Sequence, residues 1–370
     1  IDMLRVRVSY GTTGNSRIGS YQARGLYGFN NTGYNGGTSS FPSSAPNPSL
    51  GWEKNYKSNL GFDLGIKKRF NLTLEFYQNI LDDAITPIPV PAQNGFTSVL
   101  ANIGKMRNAG IDLSLNAQVF DGDFKWRAVL NVGYNKNKII SIKNKASLFG
   151  ASTEGTVLRE GVSTGAIWGF EFAGVDPATG REMYIDNIGN KVSVYDLDRN
   201  IATGGKYLGD RLPKAQGAFI NSFSYKALSL TVTIPYSFGS KILIDNASEN
   251  NGRNLSNRNQ SVNLLDRWQQ PGDISNIPLL SASTNPLVYT SSKYVYNNTY
   301  IQLSNVSISY TLPKKYTSKL KGIGITVYGN ASNIGYWYKQ KSPEGRHGIK
   351  EYRFSFPQAQ TFTWGTKISI

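Results

Sequence analysis

The chain has 370 residues, of which 39% are hydrophobic, 12% aromatic and only 17% charged, with a formal net charge of +16. So many rings are foreign to a disordered chain, and no run approaches the ~20 apolar residues of a membrane-spanning helix. With no cysteine and a single histidine, His347, the sequence excludes a disulfide scaffold, a thiolate zinc site, a cysteine nucleophile and a multi-histidine metal site.

From the first residues, Leu4-Arg5-Val6-Arg7-Val8-Ser9-Tyr10 alternate apolar and polar, the period of a strand. A strand at 1–10 carries the expectation that the chain starts inside a larger fold. A Gly- and Asn-rich loop follows over 11–51, carrying Tyr21, Tyr27, Phe29 and Tyr34. Residues 52–66 set Tyr56, Leu60, Phe62, Leu64 and Ile66 against Asn55, Lys57, Asn59 and Asp63. After the turn at Lys67-Lys68, residues 69–81 set Phe70, Leu72, Leu74 and Phe76 against Asn71, Thr73 and Glu75. A long loop is expected over 82–107. Strands then fit 108–119 and 123–137, joined by Asp121-Gly122-Asp123.

The next long loop, 138–214, is expected to hold an extra hairpin, because apolar stretches at 166–172 and 183–185 flank the turn Asp176-Pro177-Ala178-Thr179-Gly180. Strands at 215–226 and 228–239 meet at Lys226-Ala227. Loop 240–298, strand 299–312, a turn from Pro313 to Lys321, strand 322–333 and loop 334–358 follow. The terminal stretch alternates Phe362, Trp364, Ile368 and Ile370 with Thr361, Thr363, Lys367 and Ser369. The strands number ten.

Short and long connections alternate without exception, so every strand reverses direction. Short turns at one end, long loops at the other, strands of roughly 9–15 residues and rings near strand ends are habits of outer-membrane barrels. Tyr10, Tyr77, Tyr134, Tyr236, Phe238 and Tyr310 are the expected girdle. The expected fold is all-β: an antiparallel transmembrane β-barrel portion of about ten strands, with short periplasmic turns and long extracellular loops. A large soluble all-β protein with one wet face shares the alternation but not the loop pattern. The basic residues are scattered among turns, so no nucleic acid partner is expected.

Several segments carry a resemblance. Ser9-Tyr10-Gly11-Thr12-Thr13-Gly14-Asn15, Asn47-Pro48-Ser49-Leu50-Gly51-Trp52-Glu53-Lys54 and Asn102-Ile103-Gly104 with Asn108-Ala109-Gly110-Ile111-Asp112-Leu113 resemble stretches of SusC/RagA-type TonB-dependent outer-membrane transporters. So do Asp266-Arg267-Trp268 with Pro271-Gly272-Asp273 and Ile277-Pro278, the run from Ser304 to Pro313, and Gly329-Asn330-Ala331-Ser332-Asn333, all in the family's order. The resemblance covers the C-terminal part of such a transporter. It implies a 22-stranded barrel with an N-terminal plug, in which these strands would be 13 to 22, in the outer membrane of a Gram-negative, Bacteroidetes-like bacterium. It also implies uptake of oligosaccharides or peptides, a SusD-like surface lipoprotein as lid, the TonB system acting through an N-terminal region, and contact with the remaining barrel strands, the plug, the lipid bilayer and lipopolysaccharide. The terminal Ile370 departs from the aromatic residue on which the family usually closes.

Among site candidates, the loop rings Tyr27, Phe29, Tyr34, Tyr336, Trp337 and Tyr338 are expected to meet substrate or partner, the alternative being loop-to-loop packing. Arg5, Arg7, Asp63, Asp112 and Arg127 are expected to line the lumen, either along the transport path or against a plug. Residues 176–180 read as a turn rather than a calcium loop, since oxygen ligands at regular spacing are missing. One histidine in Glu344-Gly345-Arg346-His347, with no partner motif, makes no enzyme; no cofactor or metal is expected. The competing reading is a non-transport surface or adhesive barrel, or a barrel fragment bound to a larger complex.

Overall fold

A computed structural model describes residues 1–15, 19–143, 148–149, 157–201, 203–244, 262–280, 290–317, 323–340 and 358–369. His347 and its neighbours, Ile370, and parts of loops 138–214, 240–298 and 334–358 lie outside the described residues. Ten strands form one antiparallel sheet: β1 (Met3–Asn15), β2 (Glu53–Ile66), β3 (Phe70–Pro89), β4 (Ser98–Asp121), β5 (Phe124–Ile142), β6 (Ala215–Tyr225), β7 (Leu228–Phe238), β8 (Tyr300–Thr311), β9 (Gly324–Tyr338) and β10 (Thr361–Ser369). Each strand pairs with the next in chain order, and β1 and β10 have a neighbour on one side only.

Register keeps like with like across the sheet. Leu4, Val6 and Val8 of β1 face Leu64, Phe62 and Leu60 of β2, which face Leu72, Leu74 and Phe76 of β3, then Leu115, Leu113 and Ile111 of β4. On the opposite face Arg5 meets Asp63, then Thr73, Ser114 and Asn131 in line. A slip of one residue in any strand would put its charges into the apolar band. The short turns hold that register. At Lys67-Lys68 both residues have φ of 51°, the pair of left-handed positions that a type I′ hairpin needs, and the Arg69 amide donates to the Ile66 carbonyl at 3.0 Å.

Two expectations are corrected. The stretch 82–107 is mostly strand: β3 runs to Pro89 and β4 begins at Ser98. A register shift between Leu81 and Ala84, with Asp83 at φ 56°, interrupts the two-residue period there, so the ladder continues where alternation breaks off. Tyr77 is not a girdle residue. It shares the polar face with Thr73 and Glu75, lies opposite Gly110, and donates its hydroxyl to Asn135 Oδ1 at 3.0 Å. Tyr10, Tyr134 and Tyr310 do stand exposed on the apolar face.

Near the short-turn end, Phe124, Trp126 and Phe223 stack on that face, with Phe223 centroids 6.2 and 5.8 Å from the other two rings. They shelter Asn221, a buried amide within the apolar band, whose Oδ1 accepts the Trp126 indole N–H at 3.0 Å. The hydrogen bond is what makes an amide tolerable there.

Spin labels at Leu113 and Leu230 are expected to be quenched by lipid-soluble reagents and those at Asp112 and Thr231 to be spared. Equal quenching of all four sites would contradict a lipid-facing band. On the depth scale for barrels, Leu230→Arg is expected to cost about 2–4 kcal/mol, read by urea unfolding in lipid.

Candidate functional site

The polar face of β1–β5 carries a charge ladder. Arg7 donates through Nε to Asp63 Oδ2 at 2.9 Å and through Nη2 to Glu75 Oε1 at 2.7 Å, tying β1 to β2 and β3. It spans that distance because Gly61, its register partner, has no side chain; a Cβ there would lie 3.0 Å from Nη2. Asp63 also accepts the Thr73 hydroxyl at 3.0 Å. Glu75 stands opposite Asp112 in register, and both line a cavity of about 670 Å³ with Thr73, Asn131, Gln216 and Tyr300. Arg5 faces Asp63 in register, so it joins this group. Arg127 does not: it lies toward the short turns, donating from Nε and Nη2 to Asn116 Oδ1 at 3.0 and 2.8 Å.

At the long-loop end of the same face, Tyr300, Tyr336 and Tyr338 form a ring cluster. Tyr336 and Tyr338 stack at 5.6 Å with an interplanar angle of 17°, and Tyr300 lies 5.7 Å from Tyr338. Gln302 donates to the Tyr336 hydroxyl at 2.6 Å, and that hydroxyl donates to Gln358. Trp337, expected beside them as a contact residue, is in register with Ile301 on the apolar face and points the other way. Successive strand residues project to opposite faces, so three adjacent rings cannot act together. Tyr300 was missed; it is placed by pairing with Tyr338, 38 residues away in sequence. Tyr27 and Phe29 sit on a hairpin, Leu26–Asn30 with Ser39–Ser44, and Tyr34 on the turn at its tip; all three are exposed, Tyr34 completely.

Above the sheet, the described parts of loops 138–214 and 240–298 build one packed unit. The expected hairpin is present as Glu171–Val175 paired with Glu182–Ile185, and Lys191–Ser193 adds a third strand. Phe170, Tyr184, Val194 and Leu197 form its core. Backbone bonds from Phe170 to Thr290 and from Ser292 to Phe170, 2.8 and 2.9 Å, knit the second loop onto the first. Between them, the half-buried Lys293 pairs with the buried Glu182 at 2.9 Å and lies 4.9 Å over the Phe172 ring, while the Tyr184 hydroxyl donates to Glu182 at 2.9 Å. Burial first, and the Glu182 charge second, hold the Tyr184 phenol protonated far above its ordinary range, so it stays a donor.

The turn at 176–180 is part of the same clasp. Asp176 accepts the Thr179 hydroxyl at 2.6 Å and the Ala178 amide at 3.1 Å, bonds that hold its carboxyl below the usual range. Gly180, at φ 68°, lies under the Trp268 ring, which a Cβ would approach to 2.4 Å. The Trp268 indole donates to the Pro177 carbonyl at 2.9 Å, and the Gly272 amide donates to the same oxygen. The Arg267-Trp268 and Pro271-Gly272-Asp273 motif thus grips the other loop's turn.

Lys293→Met is expected to strip the buried Glu182 of its counter-charge and destabilise the loop unit by about 3–5 kcal/mol. Faster amide exchange over 166–210, with β1–β10 unchanged, is the readout. Combining it with Glu182→Leu is expected to recover part of the loss. Burial also pushes the Tyr296 phenol up to about 12. The unfolded chain releases that proton near pH 10 and the folded one near 12, so loop stability is expected to fall as pH rises between them. Phenolate absorbance that titrates fully near pH 10 in both the wild type and Tyr296→Phe would contradict this.

Residues 1–334 match the family described as TonB dependent receptor-like, beta-barrel. The chain is 26% identical to TonB-dependent receptor P3 of Formosa agariphila, over 98% of this chain and 39% of that protein, and 27% identical to its receptor P39, over 90% and 36%. Among solved structures it is similar to the RagAB peptide transporter, at 27% identity and a TM-score of 0.84 over 99% of this chain and 40% of that one. The RagAB peptide importer in its closed-closed state gives 28% identity and a TM-score of 0.83. The chain spans about two fifths of the length of these relatives.

Proposed function

This chain belongs to the TonB-dependent receptor-like β-barrel family, of SusC/RagA type and outer-membrane location, and on that premise we propose that it forms part of the wall of a peptide importer. In this reading, further strands and a plug complete the barrel, the TonB system drives transport through the rest of the receptor, and a SusD-like lipoprotein caps the long loops.

The observation that carries the reading is the inward face, which ends at the loops in the Tyr300, Tyr336 and Tyr338 cluster and leads down past Gln216 to Glu75 and Asp112. Such a path offers ring faces, amides and carboxylates to an extended peptide as it passes. Peptides are preferred because the structural relatives are named as peptide transporters. Oligosaccharides are the second reading, favoured by the parallel Tyr336 and Tyr338 rings with Gln302 beside them, which suit a flat sugar face.

For the lid, the loop unit exposes Val262, Leu265 and Ile274, the last almost completely. Exposed apolar side chains on a loop outside the lipid-facing band are the candidates for contact with such a partner.

In the whole receptor, Tyr336→Ala with Tyr338→Ala is expected to lower uptake of a mixed oligopeptide pool roughly tenfold, the ~1.4 kcal/mol scale of a moderate contact rather than a hot spot, with barrel assembly unchanged. Loss of oligosaccharide uptake alone would select the second substrate class. Undiminished uptake of both would remove the tyrosines from the path. Leu265→Asp with Ile274→Asp is expected to abolish co-purification of the lipoprotein; full retention would place the lid elsewhere.

A further inference from the structure

On the inward face, a line of register partners crosses the wall from β1 to β6 as Arg7, Gly61, Glu75, Asp112, Gly133 and Gln216, and continues through Ser237 to Tyr300 of the ring cluster. Two glycines leave gaps in this line. The Arg7 guanidinium fills the gap at Gly61 and is satisfied there by Asp63 and Glu75. The gap at Gly133 is entered by the side chain of Asp112, whose Oδ1 lies 3.0 Å from where a Cβ would stand. The carboxylate thus leans from β4 over β5, away from Glu75 and toward Gln216.

Asp112 joins no ion pair among the described residues. Cations of the neighbouring strands are engaged elsewhere: Arg7 by Asp63 and Glu75, Lys105 by Asp82, Lys125 by Asp121. Lys214, two residues from Gln216, lays its chain along Gly239. Asp112 itself is exposed, in the cavity of about 670 Å³ that Gln216 and Tyr300 also line. That volume falls within the range of sites that take a small molecule. The cavity therefore offers one open carboxylate, an amide beside it and a ring at its upper end.

We propose that Asp112 selects among cargo peptides, seating an ammonium or guanidinium side chain over Gly133, between its carboxylate and the Gln216 amide. The inference rests on the peptide reading above. A charge-assisted hydrogen bond to Asp112 is the strong contact, and the Gln216 amide oxygen accepts a second N–H. Tyr300 bounds the cavity with a ring whose face attracts cations. Gly133 gives the cation its room, since a Cβ there would press on the carboxylate. The chain's net charge of +16 does not oppose this seat, because exposed charges beyond about 8–10 Å are screened and Asp112 acts at contact.

The test is competitive uptake by cells that express the whole receptor with its lipoprotein, offered two oligopeptides that differ only in one lysine, free or Nε-acetylated. The wild type is expected to take up the free-lysine peptide about fivefold faster, the upper end of what an ion pair open to water provides. Asp112→Asn is expected to bring that ratio to about one, and Asp112→Glu, which keeps the charge, to retain most of it. A ratio near one in the wild type, or the wild-type ratio in Asp112→Asn, would overturn the proposal and leave the peptide reading standing. A fall of both rates in Asp112→Asn with the ratio held would assign the carboxylate to another segment of the receptor and overturn it too. Uptake of neither peptide by the wild type would remove the peptide reading, and this proposal with it.

Discussion

A strand that runs through hydrocarbon must bond every backbone amide and carbonyl to a neighbouring strand, because no water is there to take them. That requirement fixes the ladder of β1 to β10, and the ladder fixes the rest. With pairing unbroken through the band, each side chain has one of two faces open to it, and Leu60, Phe62 and Leu64 are committed to one as firmly as Asn59, Gly61 and Asp63 are to the other. Register shifts at Asp82-Asp83, where β3 runs on past its pairing with the start of β2, and at Val119, beside a short turn, fall where the backbone leaves the band and can be solvated or paired locally.

The two faces obey different electrostatic rules. On the inward wall, Arg7, Asp63 and Glu75 remain partly open to water, so their network costs little to assemble and adds modestly to stability. What it supplies is geometry: one guanidinium fastens three strands. In the loop unit, Lys293 and Glu182 are withdrawn from water, and there the pair is tolerable only with further partners, which Tyr184 and the Phe172 ring provide. Ion pairs that set geometry on the wall thus act as a lock in the loops.

The loop unit also explains why long connections need not be loose. Segment 157–210 carries its own small core of Phe170, Tyr184, Val194 and Leu197, and the second loop brings Trp268, Thr290 and Tyr294 against it, so that turn, motif and ion pair close together. The outcome is a small folded body standing on β5, β6, β7 and β8.

Much of this was legible in the chain. Apolar and polar residues alternating from Leu4 to Tyr10 and from Ile111 to Gln118 mark strands and their faces, since side-chain direction along a strand depends on nothing beyond neighbouring residues. Alternating short and long connections give strand direction, and the ordered motifs point to the family. Residues 82–107 misled because a bulge adds a residue and inverts the phase. Tyr77 and Trp337 misled because ring content was weighed above parity, although parity was there to be read. The Glu182 and Lys293 pair and the grip of Trp268 on Gly180 left no local trace: their partners lie roughly a hundred residues away, and only the packing of two loops against each other brings them within reach.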